Sequence, residues 1–335
     1  MKFLSYKMLM TLFALGTMLW SCDSFIYDDL KHCPQGVYVK FYAKTPCASD
    51  TTFIGSVPIL TVFAFDKNDK LVTSVTEKNV SLSRDYQVLV PVSDGNFTFV
   101  AWAGANDKFT IGSFINGITT KKDVMLTLNS SSGKAVDLSG TTLWQGESPV
   151  VSLPNPDKEG SVYKYTAINM REMTNHVTVK VELDENTLME DGVVPQDFTV
   201  DISSANGTTN IDGSMPLGGT ILNYPALNGC YYNSGGISDT QKNNSASWDF
   251  VMMDLKTGYN NQLTLNYVKG RKTVFSGDLI GSILLLYENQ TNINMACQHN
   301  FVIKFRLTDC CASHISCDIF VNNWLVHSYD TQLSM

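Results

Sequence analysis

The sequence predicts an all-β protein built as two β-sandwich domains in tandem. Short runs of alternating apolar and polar residues recur along the whole chain, the period of a half-buried strand. Clusters of Gly, Asn, Asp and Ser separate them, the residues that tight turns demand. The helical signal is weak throughout, and many short strands punctuated in this way are the pattern of sandwiches.

The elements follow in order. Gly36–Tyr42 reads Gly-Val-Tyr-Val-Lys-Phe-Tyr, a first strand with one apolar face. Residues 58–65 and 71–75 flank the polar turn Asp66-Lys-Asn-Asp-Lys70 as a hairpin. A second hairpin joins 86–90 to 97–102 through Ser93-Asp-Gly-Asn96, and a strand at 124–128 follows. Pro149, Pro154, Pro156 and Gly160 crowd one stretch, which places the domain boundary there: an N-terminal sandwich over 22–155 and a C-terminal one over 156–335. In the second half, strands are expected at 162–169, 176–183, 197–203, 248–255, 262–268, 279–287, 301–307 and 318–326. Between them, 204–247 is rich in Gly, Asn and Ser and reads as a long loop or flap, where contact surfaces tend to sit.

The first residues are a leader. Lys2 and Lys7 precede an apolar run over 8–20 that is too short to cross a bilayer core of ~30 Å. It ends in Leu19-Trp20-Ser21-Cys22, the pattern of a lipoprotein signal, with cleavage between Ser21 and Cys22 and acylation (diacylglycerol and palmitate) of the Cys22 thiol. Several acyl chains, at about 0.8 kcal/mol per buried CH₂, hold a protein stably without a spanning helix. Removal of the 1–21 signal peptide leaves 314 residues, a length for two domains, and an apolar share of 44% allows a core in each. The net charge of −8 becomes −10 once Lys2 and Lys7 are gone, which argues against nucleic acid or anionic head groups as partners.

Motifs of catalysis are missing: there is no HExxH, GxSxG or GxxxxGK[ST]. The expectation is a protein that is not an enzyme and has no cofactor and no metal. Of eight Cys, Cys22 is spent on lipid; seven remain, so at least one is a thiol or pairs between chains. Cys310, Cys311, His314 and Cys317, with Cys297 and His299 upstream, form the densest cluster. Its spacing lacks the paired knuckles of a zinc site, so a hairpin cross-link or buried thiols among Cys297, Cys310, Cys311 and Cys317 are expected. The Asp66–Asp69 run lacks the Gly and distal Glu of a calcium loop and reads as a turn. Around the long loop, Tyr224, Tyr231, Tyr232 and Trp248 are candidates for stacking on sugar, or for packing.

The residues after Cys22 carry a specific resemblance. Tyr27-Asp-Asp-Leu30, then Cys33-Pro-Gln-Gly36, then the first strand, resembles the start of the FimB/Mfa2 family of fimbrial anchor subunits, the type V fimbria lipoproteins of Bacteroidales. Ala101-Trp-Ala-Gly104, Leu143-Trp-Gln-Gly146, Ile168-Asn-Met-Arg-Glu-Met173 and Asn322-Asn-Trp324 extend it more weakly into both halves.

The resemblance implies two transthyretin-like Greek-key sandwiches, lipid-anchored in the outer membrane, exposed at the cell surface and part of a fimbrium. It implies stalk subunits as partners by donor-strand exchange, the outer membrane as partner through acyl chains on Cys22, and a host or bacterial surface receptor reached through the fibre. Polymerising relatives lose their first strand to an Arg-specific protease. An anchor keeps it, here Val37, Tyr38, Val39, Lys40 and Phe41. The linker over 43–57 holds Lys44 and no Arg, and Arg84 is the first Arg of the chain, though a Lys-specific cut stays open. The alternative roles are an accessory or tip adhesin of the same system, or a surface glycan-binding lipoprotein.

Overall fold

The structure is a computed structural model that describes residues 33–184, 192–227, 229–232, 244–286, 293–311 and 314–332. The leader, Ser21 and Cys22 lie outside them. The described chain is nearly all β. Its first half contains β1 (Gly36–Tyr42), β2 (Gly55–Phe65), β3 (Leu71–Leu82), β4 (Gln87–Val90), β5 (Gly95–Ala103), β6 (Phe109–Ile111), β7 (Val124–Leu128), β8 (Ser130–Ser131), β9 (Lys134–Ala135), β10 (Trp144–Glu147) and β11 (Val151–Leu153). Then come β12 (Tyr163–Asn169), β13 (Arg171–Glu172), β14 (Thr174–Leu183), β15 (Phe198–Ser204), β16 (Thr208–Asn210), β17 (Leu222–Tyr224) and β18 (Gly229–Tyr232). The last are β19 (Ser245–Met253), β20 (Gln262–Tyr267), β21 (Lys272–Asp278), β22 (Asn300–Cys311), β23 (His314–Val321) and β24 (Trp324–Gln332).

Two hydrophobic cores organise these strands. The first lies between the three-stranded sheet β12-β1-β4 and the sheet β13-β10-β5-β2-β3. Alternation along β2 and β5 sends Leu60, Val62, Ala64, Phe99 and Ala101 into it. The opposite faces of the same strands are buried too: Phe63, Phe65, Val100 and Trp102 enter the second core. That core runs on between β18-β19-β14-β22-β23-β24 and β21-β20-β15-β17-β9-β8.

The region after β5 ties the halves together. β7 pairs with β16, and β9 runs parallel to β17. The stretch read as a loop over 204–247 therefore contains three short strands, and Asn206, Thr209 and Ile211 are fully buried in it. Asn206 Nδ2 donates to the Met253 carbonyl of β19, a kind of burial that an apolar count does not register. Trp102 Nε1 donates to the Ile211 carbonyl at 2.6 Å, and Lys122 pairs with Asp212.

Asp212 gives this seam a pH dependence. Burial alone would raise its carboxyl, but the Lys122 ammonium and the Ser214 hydroxyl and N–H pull it below the usual value of 3.8. A carboxylate held low when folded stabilises above its unfolded pKa, and loses that stabilisation as pH falls through the lower folded value. Asp212→Asn should therefore be less stable than the parent at pH 7, with the gap closing in acid below about pH 4. A gap of constant size from neutral to acidic pH in denaturant titrations would refute this.

Two expected strands are corrected, those over 279–287 and 318–326. Strands pair across 155/156: β12 lies parallel to β1 over seven residue pairs and β13 pairs with β10. The Pro-rich stretch there is a single helical turn, Pro156–Glu159, with Asn155 Oδ1 accepting from the Asp157 N–H. The strand expected over 279–287 is a π-helical turn, Ile280–Leu284, preceded by β21. Leu279, Ile280, Ile283 and Leu284 are all buried, and a short run that is apolar on every side has no period to separate helix from strand. The strand expected over 318–326 is two, because Asn322 and Asn323 both adopt positive φ and reverse the chain as a two-residue hairpin turn.

Candidate anchoring groove around the first strand

β1 is the middle strand of its sheet. It pairs with β12 on one side and antiparallel with β4 on the other, so Val39 faces Thr166 and Val88 together. Val37 and Val39 are 0% and Phe41 2% exposed, and all three project into the first core. The opposite face carries Tyr38, which stacks on Tyr165 at a ring separation of 5.2 Å. All five residues expected to form a first strand do so, and the groove that holds it is lined by Leu60, Val88, Phe99 and Ile168.

Both ends of the strand are closed. At the start, Gly36 allows close approach: a Cβ there would stand 2.7 Å from Leu89 Cδ1 and 3.0 Å from the Val90 carbonyl. Gln35 Nε2 donates to the Gly160 carbonyl at 2.8 Å, and the Gly36 N–H to that of Val162 at 3.2 Å. At the end, Ala43 and Thr52 exchange two backbone hydrogen bonds of 2.9 Å, folding the linker into a closed loop. The Asn169 carboxamide clamps the Lys44 backbone, accepting from its N–H at 2.8 Å and donating to its carbonyl at 2.9 Å.

Within that loop, Cys47 forms a disulfide with Cys297, across a sequence separation of 250. This corrects the expectation that Cys297 belongs with the hairpin cysteines. Sequence proximity suggested that grouping, but the fold brings the 43–52 loop and the approach to β22 to a Cα distance of 5.8 Å. A cavity of about 370 Å³ opens beside the bond, lined among others by Pro46, Trp144, Met170 and His299.

The remaining candidates are placed as follows. Cys317 is buried in the second core, and burial pushes its thiol up to about 12, so it is not a reactive group. Cys310 and Cys311 end β22, opposite β23 in the expected hairpin, and their side chains fall outside the described residues. Asp66–Asp69 is a turn in which Asp66 Oδ1 accepts from the N–H groups of Asn68 and Lys70. Tyr224 and Trp248 are only 4% and 7% exposed, so neither can stack on a sugar; both pack in the second core. The side chains of Tyr231 and Tyr232 lie outside the described residues. Among the described residues, Tyr163 and Tyr165 on β12 are exposed aromatics, as are Phe53 and Trp324.

The chain as a whole is similar to known proteins. The signature of the family described as "Fimbrillin-A associated anchor proteins Mfa1 and Mfa2" matches residues 30–330. The chain is 33% identical over 324 residues to the minor fimbrium anchoring subunit Mfa2 of Porphyromonas gingivalis, covering 96% of this chain and 94% of that protein. The crystal structure of the fimbrial anchor protein Mfa2 from Porphyromonas gingivalis superposes with a TM-score of 0.75 at 32% identity, over 89% of this chain and all of that one. A proposed polysaccharide-binding protein of Bacteroides thetaiotaomicron has a TM-score of 0.67 at 25% identity, over 87% of this chain and 96% of that one. The chain belongs to the family of fimbrillin-A associated anchor proteins Mfa1 and Mfa2.

Proposed function

We propose that this chain is a non-enzymatic fimbrial subunit that ends a fibre and tethers it to the outer membrane through acyl chains on Cys22. The observation that carries the reading is the occupied groove. β1 fills it with three buried side chains and paired edges, so no strand from a neighbour can enter there. The same strand connects directly to the expected lipid site, so keeping it keeps the tether. Attachment of the next subunit then occurs by strand addition, in which main-chain bonds give affinity and alternate side-chain pockets give specificity.

The Lys44 peptide, the one basic site between β1 and β2, supports retention. Its N–H and carbonyl are both bound by Asn169, and exposed loops are cut where the backbone is unpaired. Replacing Cys22 by Ala in the producing bacterium should shed fibres into the medium while the body of the protein still caps them. Deleting the gene should shed fibres as well. Fibres that remain attached at normal length in the deletion strain would overturn the proposal.

A further inference from the structure

We infer that the Cys47–Cys297 disulfide carries pulling force from the first strand straight into the last sheet, leaving residues 48–296 outside the loaded path. Cys47 follows β1 by five residues and Cys297 precedes β22 by three. Both strands are central in their sheets: β1 lies between β12 and β4, and β22 between β14 and β23. Tension applied ahead of β1 therefore leaves a strand with neighbours on both sides, crosses one covalent bond and enters another such strand.

The mounting of the bond suits this role. Asn294 fixes the turn that presents Cys297: its carbonyl accepts from the Cys297 and Gln298 N–H groups, and its Oδ1 from that of Ala296. Just beyond, the His299 carbonyl accepts from the His176 N–H at 2.7 Å, locking the approach to β22 onto β14. On the other side, the Asn169 clamp and the Ala43–Thr52 pair hold the loop that presents Cys47. Strand pairs part under tensions that leave an S–S bond intact. The bond thus keeps the chain between Cys47 and Cys297, the seam included, out of the covalent path of a pull between the two ends.

The inference draws its biological meaning from the tethering role, and its test is independent of that role. The mature chain, residues 22–335, is pulled between handles at its two ends in optical tweezers. Without reductant it should release no more than about 250 Å of contour, from the segments flanking the bond. Cys47→Ser combined with Cys297→Ser should release roughly 800–900 Å more, the extended length of the 250 residues that the bond spans. Reductant added to the folded parent during the pull gives the same comparison should the double variant fail to fold. Release of the full length without reductant, or equal release with and without the bond, would overturn the inference. A fibre-shedding assay that fails while these lengths hold would strike the tethering role alone.

Discussion

A Phe41→Ala protein is expected to lose ~3–5 kcal/mol of stability, the usual cost of deleting a buried Phe from a packed core. Phe41 is 2% exposed at the deep end of the groove, against Tyr86 and the first-core side chains of β2 and β5. Whole domains are stable by only about 5–15 kcal/mol, so this one change consumes a large part of the total. Lys40 is the internal control. It neighbours Phe41 in sequence but projects from the outer face of the sheet, and Lys40→Ala should stay within about 0.5 kcal/mol of the parent. Urea unfolding of the two variants settles it: midpoints that shift equally would mean that β1 does not fill the groove as described. The consequence for function is direct. A strand whose side chains are worth ~1.5–3 kcal/mol each on burial does not leave its groove spontaneously.

Asn206→Ala is expected to cost about 3–6 kcal/mol, through hydrogen bonds and not through volume. Asn206 is fully buried at the seam of the two halves. Its Nδ2 donates to the carbonyls of Met253 and Asp254 at 2.9 and 3.1 Å, and its Oδ1 accepts from the Tyr224 hydroxyl at 2.6 Å. Burial pushes the Tyr224 phenol well above its ordinary range, so it remains a donor at every physiological pH. Removing the carboxamide strands three buried polar groups, each costing about 1–3 kcal/mol when unpaired. Tyr224→Phe breaks one of these bonds and should cost correspondingly less. Equal losses for the two variants in thermal unfolding would show that the phenol, not the carboxamide, organises the site.

What could be read beforehand follows from where each signal resides. β1, β2, β5, β14 and β22 have one or both faces buried, and burial writes alternation into the sequence. The Asn322-Asn323 turn needs only a pair of residues that tolerate positive φ, and it is hidden because Ile319, Phe320 and Val321 continue into Trp324, Leu325 and Val326 without a Gly. The bond between Cys47 and Cys297 was not legible, since a spacing of 250 residues carries no geometric information without the fold. The seam was the least visible part. Asn206, Thr209 and Asn210 are buried, and Asn206 achieves this by satisfying the Met253 and Asp254 carbonyls. A composition rich in Asn and Gly therefore looked like solvent-facing chain. The parallel placement of β12 on β1 was hidden for another reason: which neighbour a strand chooses depends on the whole topology, not on its own residues.

The two-sided burial of β2 and β5 bears on how such chains can change over time. Many multi-part surface proteins diversify by trading whole segments between genes. Here a cut after Glu172 would leave Phe63, Phe65, Val100 and Trp102 facing water, and would strip the second core of its cover. A foreign partner would have to match that aromatic relief side chain for side chain. Point changes on outward faces, such as the one bearing Tyr163 and Tyr165, leave that relief intact.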